Sequence, residues 1–139
     1  MEYKSIKHKI YKYATVQPYS HRLGFDCGKN TKTPFYELNG CMLHISRGYC
    51  WDGKSGPSID NGNRVAGLVH DCLYQAIRDG SLSVDFKDAS DRELQKLMKE
   101  EDTTSFGTFR ALYHYQGVRF FGASSCVPGS QSKNKMLHD

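Results

Sequence analysis

The sequence predicts a small α+β domain, with a β-hairpin and flanking strands followed by three helices. Three observations predict it. Alternating apolar residues flank an Asn39-Gly40 step. Apolar residues recur at helical spacing from Val65 to Ile77. A second helical stripe runs through Leu94, Leu97 and Met98. Periods of 2 and 3.6 residues separate strand from helix, and strands followed by a run of helices indicate α+β rather than alternating α/β.

The elements follow in chain order. Ile10 to Val16 is rich in tyrosine and β-branched residues and reads as a strand. Ser20 to Thr33 holds Gly, Asp, Asn and Lys and reads as a loop. Over residues 34–47, Tyr36 and Leu38 alternate with polar neighbours, Asn39-Gly40 follows, and Met42 to Ile45 completes a hairpin. A glycine-rich loop covers 48–62, and a helical core covers 63–122. The first helix starts between Asp60 and Asn63, carries Val65, Leu68, Val69, Cys72, Leu73, Ala76 and Ile77 inward, and stops at Asp79-Gly80. The second begins between Asp88 and Ser90, with Ser90 and Glu93 spaced as a capping box. The third covers 106–121, with Phe109, Leu112, Tyr113 and Gln116 on one stripe and Gly122 at its end. Residues 123–139 are polar and glycine-rich and read as a flexible tail. The expected organisation is one domain over 1–122.

Composition narrows the function classes. The net charge of +4 is spread along the chain with no basic run, so the charge reads as a solvated surface and specific nucleic-acid binding is not expected. No run of about 18 apolar residues offers a membrane span. The N-terminus is polar and reads as lacking a signal peptide. The five cysteines are odd in number with no Cys-x-x-Cys spacing, which argues against a disulfide framework or a structural zinc site and suits a reducing compartment. The expected location is the cytoplasm (a host cell's, if the chain is phage-encoded) or a virion.

Four polar residues stand out. His70 and Asp71 are adjacent within an otherwise apolar helix, where each must find a partner or cost several kcal/mol. Asp91 lies three residues before Leu94 and seven before Met98, so it faces the core. Its nearest unexplained donor is His70. A carboxylate on one imidazole nitrogen fixes the tautomer and makes the other nitrogen a better base. Asp52 sits in Trp51-Asp52-Gly53-Lys54-Ser55-Gly56-Pro57, where it caps the following helix or, with Asp71, offers oxygens to a hard cation such as calcium. Cys72 is a poor candidate nucleophile, because neighbouring helical residues point about 100° apart and His70 cannot readily activate it.

These elements, in this order, resemble the prokaryotic type of phospholipase A2. The resemblance rests on Trp51-Asp52-Gly53-Lys54-Ser55, on His70-Asp71-Cys72-Leu73-Tyr74, on Ala89-Ser90-Asp91 and on the run from Tyr113 to Gly122, and it covers roughly residues 49–122. The chain also resembles an uncharacterised family of small bacteriophage and prophage proteins with a similar Asp-Gly-x-Ser turn, His-Asp-x-Leu-Tyr helix and Ala-x-Asp helix start. The phospholipase resemblance implies a three-helix core in which His70 is the general base, Asp91 orients it and Tyr74 buttresses the pair. It implies calcium on Asp71, helped by carbonyls near Trp51 and Gly53, with Asp52 as a substitute second carboxylate.

Two departures accompany the resemblance. Lys54 and Gly67 stand where those enzymes carry a cysteine pair. The segment from Ile45 to Cys50 lacks the acidic residue that completes their calcium site, which counts against calcium. The leading expectation is a His-Asp hydrolase acting on an ester, with a phospholipid as substrate. The alternative is a non-catalytic phage structural, assembly or binding protein, with protein partners, that uses the same fold.

Overall fold

The computed structural model describes residues 1–7, 11, 13–51 and 64–101. They fall into two compact units, one on each side of the Asp52–Gly53 step, and each is described by itself.

Among its described residues the first unit is all β. Its strands are β1 (Tyr3–Ser5), β2 (Tyr13–Thr15), β3 (Tyr19–Arg22), β4 (Asn30–Lys32), β5 (Tyr36–Asn39), β6 (Met42–Ile45) and β7 (Cys50–Trp51). They form a three-stranded sheet in the order β1-β2-β7 and a four-stranded sheet in the order β3-β6-β5-β4, with every pairing antiparallel. The expected hairpin is present as β5 and β6, with Asn39 opposite Met42. Gly40 has φ +60°, the sign a type II′ turn needs at its first loop position, and Cys41 fills the second. Tyr36, Leu38, Leu43 and Ile45 alternate onto one fully buried face. The opposite face carries Glu37, His44 and Ser20 in a cross-strand row, and Ser20 Oγ lies 2.7 Å from His44 Nδ1.

Three expectations for this unit are corrected. Of the strand expected over Ile10 to Val16, Tyr13–Thr15 is realised, Tyr11 and Val16 are not in a strand, and residues 10 and 12 lie outside the described residues. The segment from Ser20 to Thr33 is not all loop. It begins within β3 and contains β4, each strand too short for a periodic signal and recruited by pairing with β6 and β5. The loop expected from residue 48 contains β7, which Tyr13 and Ala14 pair onto the first sheet. Thr15 locks this return. Its N–H donates to Tyr49 O (3.0 Å), its hydroxyl donates to Ser46 O (3.0 Å), and the Tyr49 N–H donates to that hydroxyl (3.0 Å).

The described residues of the second unit are helical. Helix α1 spans Arg64–Arg78 and helix α2 spans Lys87–Glu101, with a short 3-10 turn at Val84–Phe86 between them. α1 ends as the Asp79-Gly80 step predicts. Gly80 has φ +80°, Ser81 N–H donates to Ala76 O (2.9 Å) and Gly80 N–H donates to Ile77 O (3.1 Å), which together make a Schellman motif. The chain reverses there, and α2 packs on α1 through Ser90, Asp91, Leu94, Leu97 and Met98.

The start of α2 differs from expectation. The cap is Ser83, whose hydroxyl accepts the Asp85 N–H at 3.2 Å ahead of the 3-10 turn. Ser90 is already inside the helix and donates its hydroxyl to Phe86 O at 2.8 Å, so Ser90 and Glu93 form no capping box. The expected third helix over 106–121 and the tail over 123–139 lie outside the described residues. Among the described residues the protein is therefore α+β, with two sheets and two helices.

Candidate functional site

The site sits where α1 meets α2. His70 and Tyr74 are four residues apart on α1, so their side chains share one face. Their rings lie 4.1 Å apart between centroids at 47°. Asp91 lies one turn into α2 and faces them from the partner helix. His70 Nε2 is 2.8 Å from Asp91 Oδ1, and the Tyr74 hydroxyl donates to the same oxygen at 2.5 Å. The other oxygen, Oδ2, accepts from Lys87 Nζ at 2.9 Å.

Burial makes these bonds count. Asp91 is fully buried and His70 is 2% exposed. Burial alone would raise the Asp91 pKa. The bonds from His70, Lys87 and Tyr74, with the attraction of the His70 charge, outweigh it and hold the carboxyl below its usual range. Asp91 is thus a carboxylate, able only to accept. It follows that Nε2 of His70 carries the proton and donates it. Neutral His70 is then left with Nδ1 as its lone-pair nitrogen, the atom able to take a proton.

The three residues expected to form the catalytic set are therefore brought together, with His70 and Tyr74 each within hydrogen-bonding distance of Asp91 Oδ1. Lys87 was not expected. Its signal in the sequence is its spacing, since a lysine four residues before a buried aspartate reaches the same face. Lys87 also lies over the Tyr74 ring, with Nζ 5.8 Å from the centroid.

Of the expected calcium set, Asp71 and Trp51 are among the described residues. Asp71 sits on α1, half-buried, beside the His70 face. Asp52 and Gly53 lie outside the described residues. Trp51 belongs to the first unit, where its fully buried indole packs against Tyr13 (5.5 Å) and Tyr3 (5.9 Å). Calcium takes six to eight oxygens. Among the described residues no three His, Cys, Asp or Glu side chains gather into a cation site.

Among the described residues, no helix is long and apolar enough to cross a membrane. Comparison with family models, with curated proteins and with solved structures finds no match.

Proposed function

We propose that the α1–α2 unit carries the base-and-orienter half of an ester hydrolase of the phospholipase A2 type, with a phospholipid as substrate. The observation that carries the reading is the 2.8 Å contact between His70 Nε2 and Asp91 Oδ1, which leaves Nδ1 as the basic nitrogen. In the proposed step Nδ1 takes a proton from a water as its oxygen adds to the ester carbonyl. The imidazolium formed is stabilised by the Asp91 carboxylate. Collapse of the tetrahedral adduct breaks the ester C–O bond, and the proton returns from Nδ1 to the leaving alkoxide. No covalent enzyme intermediate is needed, and no step runs through a metal.

A second reading is favoured by the near-complete burial of His70 and Asp91. In it the same bonds fix the register of the helix pair in a non-catalytic structural, assembly or binding protein.

The test is fatty-acid release from mixed phospholipid vesicles by the wild-type chain and by His70→Ala, with calcium and with chelator. Release by the wild type that the folded variant lacks supports the hydrolase. Release by neither supports the structural reading.

A further inference from the structure

Lys87 is in an unfavourable place for a lysine. It opens α2, near the N-terminal end of the helix, where the helix dipole favours negative charge. It also precedes its acidic partner by four residues, the weaker order for a helical ion pair. Yet its side chain is drawn in to 19% exposure, with Nζ 2.9 Å from Oδ2 of a fully buried carboxylate and over the face of Tyr74. A residue set against local preference, and ordered all the same, is held by what it contacts.

The geometry of those contacts defines a task. The carboxylate of Asp91 can rotate about its side-chain bonds, which would turn it off the Nε2–H direction. Lys87 holds one oxygen while Nε2 and the Tyr74 hydroxyl meet the other, and together they fix the carboxylate plane. Lys87 also supplies a positive charge to the buried carboxylate whenever His70 is neutral, the state in which a base must wait. We infer that Lys87 is a positioning residue for the His70 base, clamping the second oxygen of Asp91 so that the first locks the Nε2–H tautomer of the imidazole. This role rests on the proposed hydrolytic reading for its kinetic consequence, but not for its structural one.

The experiment separates the two. Ring ¹⁵N–¹H correlation spectra of the full chain report the His70 tautomer directly, with or without any activity. Wild type and Lys87→Arg are expected to show the Nε2–H tautomer alone. Lys87→Met, and Lys87→Gln as a second variant that keeps a donor without the charge, are expected to show a mixture. In the vesicle assay the two uncharged variants should lose kcat on the order of ten- to a hundredfold with KM nearly unchanged, and Lys87→Arg should recover most of it. A single Nε2–H tautomer in both folded uncharged variants overturns the inference. Absence of hydrolysis by the wild type would instead overturn the hydrolase reading, and the tautomer spectra would still decide the role of Lys87.

Discussion

Asp91 meets His70 across the helix pair, Oδ1 to Nε2 at 2.8 Å, although the two residues are 21 positions apart in the chain. The contact depends on the Schellman turn at Gly80, which reverses the chain so that one turn of α2 faces the middle of α1. Three donors converge on Asp91, and that convergence sets most of what the site should do when perturbed.

Stability and activity should rank the variants differently. Asp91→Ala removes the acceptor of three donors and leaves Lys87 facing the interior, so it should cost about 3–5 kcal/mol. His70→Ala leaves Asp91 two of its three partners and should cost about 1–3 kcal/mol. Tyr74→Phe, which loses one hydroxyl, should cost about 1 kcal/mol. Denaturant titration checks the order. Hydrolysis should instead fall furthest in His70→Ala, because only that variant lacks the base. Activity losses that merely track unfolding would favour the structural reading.

Acid should weaken the fold through Asp91. Its carboxyl is held below the usual range in the folded chain, so it binds a proton more readily when unfolded. The stabilisation it gives is present above the unfolded value, near pH 4, and is lost as pH falls through the lower folded value. Asp91→Asn should therefore show a shallower loss of stability below about pH 4 than the wild type. Equal slopes in the two proteins would contradict this assignment.

The turn between the helices should be sensitive to one methyl group. Gly80 has φ +80° with open space around an added Cβ, so Gly80→Ala suffers backbone strain and no collision. The expected cost is about 1–2 kcal/mol, and Gly80→Asn should cost less, because asparagine tolerates that conformation better. Thermal melts of the pair measure the difference.

The capping serine is Ser83, at the start of the 3-10 turn that leads into α2. Ser83→Ala should destabilise the chain by about 1 kcal/mol, since its hydroxyl accepts the Asp85 N–H. Glu93→Ala should show no capping loss. The opposite result would return the cap to Ser90.

Much of this arrangement is legible in the residues. Asn39-Gly40 announces the β5–β6 hairpin, and Asp79-Gly80 announces the end of α1. The inward spacing of Asp91 against Leu94 and Met98 points to His70 before any coordinates do. What escapes is what pairing alone decides. β3, β4 and β7 have two to four residues each, and they become strands because a neighbouring strand offers hydrogen bonds. The Ser83 cap escapes because the 3-10 turn ahead of α2 has no periodicity of its own. Lys87 reads as an ordinary surface charge until Asp91 is known to be buried, and only then does its spacing acquire meaning.

The most direct test of the central claim is vesicle hydrolysis measured together with thermal stability for wild type and His70→Ala, in calcium and in chelator. The account predicts that the wild type releases fatty acid in at least one condition, and that His70→Ala, still cooperatively folded at the assay temperature, releases none above the uncatalysed rate. A wild type that releases no more than the variant in either condition would contradict it, and would leave the His70–Asp91 contact as a bond that holds two helices together.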